Sequence, residues 1–301
     1  MKDVPKHQVG GQAVIEGVMM RSKNFWTLAV RRLDKSISVR LYRDVSIVKK
    51  YPWLNLALAR GAGVMVENLS LGFRALSYSI NEAFGEEVNF SRREMIISVS
   101  LAILFVVGIF FVLPTLIGRS FANIVSNSIV YNILEGLVRI ALFLIYLFSV
   151  SWLKDVRRLF QYHGAEHKTI HAYESGEELT PENVEKYSRL HIRCGTNFLL
   201  IVMVVAIFVF SLLGKTPILW RVVSRIVLIP VIAGISYELI RLAGKFSKYK
   251  IVNIIFYPGL LLQKITTKEP DRLQLEVAIS SLKKLIEAED SLARENSDVV
   301  S

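Results

Sequence analysis

A single cysteine, Cys194, occurs in 301 residues, so no intrachain disulfide can brace this chain. That scarcity fits a reducing, cytosol-facing setting. The first 50 residues hold no apolar run of the kind found in secretory signals, so no cleaved leader is expected. Low-complexity segments and clear internal repeats are missing too, which speaks against a linker-rich or solenoid protein. Acidic residues are outnumbered, 26 against 37 Lys and Arg, leaving a net charge of +11. No nucleic-acid recognition motif accompanies that charge. Anionic lipid headgroups are therefore the expected partners, and nucleic acid is not.

Apolar residues are in excess, at 52% of the chain, and mean hydropathy is +0.41. The excess is concentrated in four runs, 95–118, 130–153, 197–214 and 218–241. Each is close to the roughly 20 residues that cross a hydrocarbon core, so four transmembrane helices are expected. The second run contains Glu135 and Arg139, an i,i+4 pair. Charge at that depth marks either function or a structural ion pair that fixes helix register. Arg221 and Arg225 shorten the apolar part of the fourth run and are expected to snorkel to headgroups. Cationic residues set the orientation. Arg92 and Arg93 precede the first run, seven Lys and Arg from Lys154 to Arg193 lie between the second and third, and Lys245, Lys248 and Lys250 follow the fourth. The 119–129 loop holds only Arg119, and the 215–217 turn only Lys215. Both termini and the 154–196 loop are thus expected in the cytoplasm.

The expected fold is mainly α: a polytopic helical membrane protein with about four transmembrane helices, a cytosolic helical hairpin and a small N-terminal β-sheet. Residues 1–50 read as a small cytosolic β domain, with AVIEGVMMR, FWTLAVRR and SISVRLYRDV broken at Ser22–Asn24 and at Asp34–Lys35. Residues 51–90 read as an amphipathic helical segment, in the interface or on the cytosolic side of the bundle. The membrane region is 91–250, with a His-rich hairpin at 153–195. Residues 251–301 read as an interfacial piece, interrupted by Pro258-Gly259, and an amphipathic C-terminal helix opened by Asp271 with a frayed last stretch.

The hairpin carries the chemistry. His163, His167 and His171 stand four residues apart, and the stretch 163–167 reads H-x-x-E-H. On a helix these three imidazoles and Glu166 share one side. Two imidazoles one turn apart can bind a single Zn²⁺ or a similar divalent ion, and the pattern matches the inverzincin signature. Glu166 could then be a general base, a metal ligand or the group that orients an imidazole. Gly176 should end this helix and Thr180-Pro181 should start a second, running to Cys194 and closed by Gly195. Folding the pair about residue 177 places His191 level with His163 and within reach of the metal. His171 is a more distant ligand candidate or a solvent-facing residue. Glu174 is a ligand or an ion-pair partner, and Cys194 a soft ligand or a small buried residue. Arg193 could hold an anionic substrate group or a lipid phosphate, or could simply snorkel.

The stretches Val9–Arg21, Tyr162–Lys168, His191–Phe198, Glu269-Pro270 and Gln274–Ile279 together resemble the bacterial YqhQ-like family. The resemblance covers nearly the whole chain. It implies a multi-pass protein of the bacterial inner membrane and a metal-dependent enzyme, and it implies that Gln12, Glu16 and Arg21 matter. A Gly-Gly-Gln turn leading into a strand would let Glu16 reach a neighbouring site, or would serve tight packing alone. Two functions are compatible with the residues. One is a metal-dependent, hydrolase-type enzyme with its site at the cytosolic membrane surface. The other is a non-catalytic adaptor docking on another membrane complex, such as protein translocation or insertion machinery. An open coordination position would favour the first.

Overall fold

The computed structural model describes residues 7–43, 46, 51–56, 58–85, 92–121, 124–191, 193–214, 217–245 and 250–298. The expectations placed on the Lys215 turn, on Lys248 and on residues 299–301 lie outside these.

Four strands, β1 (Gly10–Val14), β2 (Gly17–Arg21), β3 (Phe25–Arg31) and β4 (Ile37–Arg43), form an antiparallel meander. Its turns fall at Ser22–Asn24 and around Asp34-Lys35, as the turn residues predict. The first apolar run divides in two, at a tight turn through Ile15 and Glu16, with Gly11 paired to Met20 and Val14 to Gly17. Both faces of the sheet are buried, which is why alternation in the sequence is only partial. Val14, Met19, Trp26, Leu28 and Val30 meet Leu71, Ala75 and Ala83 of α1 (Ala59–Phe84). Val18, Met20 and Ala29 meet α5 (Lys154–Glu174) and α11 (Arg272–Asp298), through Tyr162, Ala165, Leu275, Leu282 and Leu285 among others. The N-terminal sheet therefore shares its core with the middle and the end of the chain. Helix α11 begins with a reciprocal cap: Asp271 Oδ1 accepts from Gln274 N at 2.8 Å, and Gln274 Oε1 from Asp271 N at 2.9 Å. It continues to Asp298, so the described part of the expected frayed end is helical.

The apolar runs form helices of unequal quality. α2 (Arg92–Val107) and α3 (Leu113–Phe121) are joined by one turn of π-helix, Gly108–Val112. α4 spans Ser128–Val150 and is capped by Asn127, whose Oδ1 accepts from Ile129 N at 2.9 Å. Stretches 96–121 and 128–150 are long and apolar enough to cross a membrane. α7 (Gly195–Ser211) is apolar but only 17 residues long. The fourth run is not one straight helix: α8 (Ile218–Val227) and α9 (Ile229–Lys245) meet at a bend of 44°, and the pair counts as a third candidate span only if taken together. Among the described residues, two or three crossings are supported by length and composition, where the sequence alone predicts four.

Three local expectations are corrected. The piece expected to break at Pro258-Gly259 is a helix, α10 (Lys250–Thr266), with Pro258 inside it. Its Gly259 lies against Asn197 of α7, so tertiary packing holds a sequence that local propensity would interrupt. Arg225 does not snorkel. It is 3% exposed and its Nη2 lies 2.9 Å from Glu135 Oε2, because a buried carboxylate offers it a better partner than a distant headgroup. Arg221 joins the same group, donating to the Tyr131 hydroxyl at 2.6 Å.

The hairpin is also different. Its first arm, α5, matches expectation and ends before Gly176, whose φ is +68°. Thr180 and Pro181 do start the second arm, but α6 (Pro181–Val184) lasts only one turn, and turns and irregular chain follow. The reason lies in its carbonyls. Glu185 O accepts from Lys168 Nζ at 2.8 Å and Arg189 O contacts His167 Nδ1 at 2.6 Å. A continuous helix would engage those carbonyls internally. Gly195 opens α7 rather than closing a helix, and Cys194 is the cap residue before it.

Candidate metal centre

Helix α5 is buried from Gly164 to Ile170, between the sheet, the chain from 185 to 194, and residues 266–270. Gly164 permits the last of these approaches: a β-carbon there would collide with the carbonyl of Lys268, whose N–H in turn donates to Phe160 O at 2.8 Å. The H-G-A-E-H run thus has a small residue where another strand of chain crosses it.

His163 and His167 are oriented in the same manner. His163 Nδ1 lies 2.9 Å from Thr266 O, and His167 Nδ1 lies 2.6 Å from Arg189 O. A carbonyl can only accept, so each Nδ1 carries the proton and each Nε2 keeps its lone pair. The two rings are 4.4 Å apart, centroid to centroid. Cys194 Sγ sits 3.3 Å from His163 Nε2. One ligand atom from each of His163, His167 and Cys194 lies within 4.8 Å of the others. Ligand atoms around a tetrahedral Zn²⁺ stand about 3.5 Å apart, so this donor set fits such an ion with small rotations of the side chains. Carbonyl-held imidazoles are the usual outer support of metal-binding histidines.

His191 does not stand level with His163. With only one helical turn in the second arm, the level pairing expected of two antiparallel helices does not apply. Its ring lies 5.6 Å from that of His167 and 4.5 Å from that of His171. Gln263 clamps its backbone, accepting from His191 N and donating to His191 O, both at 2.8 Å. Glu174 Oε2 is 3.5 Å from His191 Nε2, and Glu174 also pairs with Arg193. Arg193 is thereby held at the rim, 58% exposed on its side chain. His171 is not solvent-facing at its tip: its Nε2 is buried and, among the described residues, has no hydrogen-bond partner.

Glu166 is buried, with Oε2 4.0 Å from His163 Nε2. It packs on Gly11 of β1, where a β-carbon would come within 2.8 Å of Glu166 Cγ. In the sequence, Gly11 is marked only by the Gly-Gly pair before a strand. The other N-terminal candidates point elsewhere. Glu16, with φ +52°, is bound by Arg158 and by the Tyr162 hydroxyl at 3.2 Å, so it locks the sheet to α5 and does not enter the centre. Arg21 pairs with Glu67 and donates to Asn68 Oδ1 at 2.8 Å. Gln12 lies against Gly72 of α1. Glu135 and Arg139 form their ion pair among the apolar helices, with Arg139 Nη2 3.3 Å from Glu135 Oε1.

Burial dominates the protonation of the centre. It pushes His167 down to about 2 and His171 to about 4, and lowers His163 and His191 as well, so the imidazoles are neutral near pH 7. It pushes the Glu166 carboxyl up to about 8 and the Cys194 thiol up to about 11. The group is therefore uncharged in the absence of an ion, with neutral nitrogen donors facing a thiol and a carboxyl that a cation would ionise. A cavity of about 1760 Å³ adjoins it, reaching from His163, Glu166 and Cys194 to Phe143, Met203 and Phe210 between the apolar helices.

Comparison with known proteins places the chain. A family model described as a protein of unknown function (DUF1385) matches residues 56–288. The uncharacterized protein YqhQ of Bacillus subtilis (strain 168) is 38% identical over 315 residues, covering 97% of each chain. No solved structure matches. A match across α1 to α11, together with a full-length relative at that identity, shows that the chain belongs to the DUF1385 family of YqhQ-like proteins.

Proposed function

We propose that this chain is a multi-pass protein of the bacterial inner membrane that binds one divalent metal, Zn²⁺ by preference, and hydrolyses a membrane-held substrate at its cytosolic surface. The observation that carries the reading is the donor set of His163, His167 and Cys194, two aligned imidazoles and a thiol converging within 4.8 Å. The membrane placement is supported by α2, whose large apolar side chains stay exposed, Leu101 at 61% and Leu104 at 67%. Such a surface needs lipid or another protein to cover it.

Three protein ligands leave one position free, the arrangement of catalytic rather than structural zinc sites. A bound ion would supply Lewis acidity and an ionised thiol. The chain does the rest. Thr266 O and Arg189 O hold the imidazoles in the ligating tautomer. Glu166, adjacent to the donor set and 4.0 Å from His163 Nε2, would be ionised by the bound ion and can then accept and pass a proton beside His163. The cavity running between the apolar helices admits an amphiphilic substrate from the side.

Metal analysis of the purified full-length protein should find one ion per chain, and the His163→Ala/His167→Ala variant should lose it. Cys194→Ser should weaken retention. Glu166→Gln should keep the ion yet fail to restore the phenotype of a deletion strain. Protein that carries no stoichiometric metal ends the proposal. A Glu166→Gln chain with full rescue leaves a metal that only pins the fold. Glu166 or His191 would then close the fourth position, in an adaptor that docks on a membrane partner such as translocation machinery.

A further inference from the structure

A second polar group borders the same cavity through Arg139 and Arg225, away from the histidines. Glu135 on α4 is 1% exposed and receives three guanidiniums. Arg225 Nη2 is at 2.9 Å, Arg139 Nη2 at 3.3 Å and Arg221 Nη1 at 3.9 Å. Among the described residues no second carboxylate forms an ion pair with any of the three, so two positive charges are left uncompensated. The neutral partners do not remove that charge. They are Asn132 Oδ1 and Thr115 Oγ1 for Arg225, the Phe110 carbonyl for Arg139, and the Tyr131 hydroxyl for Arg221. The Nε atoms of Arg225 and Arg221 are buried and have no hydrogen-bond partner among the described residues. Buried positive charge in excess of its counter-charge is costly, and an added anion would complete it.

Arg139 and Arg225 both line the cavity. Their guanidinium carbons lie 5.2 and 5.3 Å from the centroid of one ring, that of Phe210, and both guanidiniums reach the same Glu135 carboxylate, so two planar donors are gathered at one place. Planar, weakly hydrated guanidiniums suit oxyanions with several acceptor oxygens. Apolar walls supplied by Phe143, Met203, Ala206 and Ile232 continue from this point. We propose that Arg225 and Arg139 form an anion site that takes one phosphate-class headgroup, with the apolar walls receiving the chains of an anionic phospholipid. The site is separate from the metal ligands and needs no metal.

The test is native mass spectrometry of the detergent-solubilised full chain, in both the parent and the metal-free His163→Ala/His167→Ala background. The probes are dioleoylphosphatidylglycerol, inorganic phosphate and, as a zwitterionic control, dioleoylphosphatidylcholine. One phosphatidylglycerol should remain bound in both backgrounds in preference to phosphatidylcholine. Losing a charge-assisted contact should weaken this by about tenfold or more in Arg225→Gln and in Arg139→Gln. Glu135→Gln removes the competing carboxylate and should tighten it. If Arg225→Gln does not fold, Arg225→Lys keeps the charge and should retain part of the binding, with Arg139→Gln still reporting the loss. Binding of inorganic phosphate as well as lipid would mean that soluble phosphates share the site; lipid alone would identify the headgroup as the source. Binding of neither probe overturns the proposal. So does equal binding in parent, Arg225→Gln and Arg139→Gln, or weaker binding in Glu135→Gln, since a purely structural ion pair loses from either side.

Discussion

At the scale of single residues, the centre is governed by desolvation. The unfolded chain has imidazoles near 6.5, while the folded one holds His171 near 4 and His167 near 2. As pH falls below about 6.5 the unfolded state takes up protons that the native state refuses, so these histidines make the metal-free protein less stable, His171 down to about pH 4 and His167 down to about pH 2. Glu166 has the opposite sign. Its carboxyl titrates near 8 when folded against an ordinary 4.5, so it costs folding free energy as pH rises from about 4.5 to 8. Glu166→Gln removes only the second effect. Chelator-treated Glu166→Gln should therefore unfold at a higher denaturant concentration than the parent at pH 8, and at nearly the same concentration at pH 4.5. A gap of equal size at both values would contradict the assignment. Much of this was legible beforehand: the i,i+4 imidazoles and the glutamate between them point to α5 from spacing alone. Of the two roles the sequence allows Cys194, soft ligand or small buried residue, burial is observed, and its Sγ lies 3.3 Å from His163 Nε2. The tautomers could not be read, since Thr266 and Arg189 act through carbonyls that every residue possesses.

At the scale of elements, small residues decide how closely pieces approach. Gly164 is the clearest case, with residues 267–270 lying across it. Gly164→Ala forces that segment or the helix to move, and should cost about 1–3 kcal/mol, the usual range for overpacking. Thermal unfolding in detergent measures it, and Ser175→Ala, at the C-terminal end of α5, serves as a control expected to change little. The second arm of the hairpin shows where pattern reading stops. Its start was visible in Thr180-Pro181, whose hydroxyl accepts from Asn183 N at 3.4 Å. Its early end was not, because the competition came from Lys168 and His167 on another helix for the carbonyls of Glu185 and Arg189. The same applies to α10, where a Pro-Gly pair predicts an interruption and packing against Asn197 accompanies an unbroken helix.

At the scale of the whole molecule, the small antiparallel sheet, its turns at Ser22–Asn24 and Asp34-Lys35 and the two long apolar stretches follow from hydropathy and turn residues. The turn at Ile15-Glu16 and the bend between α8 and α9 do not. The joining of the sheet to α5 and α11 depends on pairings more than 100 residues apart, such as Arg158 with Glu16. Orientation is a separate matter, and the Lys/Arg asymmetry gives an expected outcome. A cysteine introduced at Ser175 should be shielded from a membrane-impermeant maleimide in intact cells, and one at Asn127 should react. The reverse pattern would invert the topology. Finally, the carbonyl that sets the tautomer of His163 belongs to Thr266, 103 residues further along the chain. During synthesis the H-x-x-E-H helix therefore emerges long before its last alignment is available, and α7, α8, α9 and α10 must all be made in between. A chain cut short between Cys194 and Thr266 carries His163, His167 and Cys194 but lacks the carbonyl that fixes the His163 tautomer, so on the proposed metal reading the complete donor set would form only once the final apolar helix has been made.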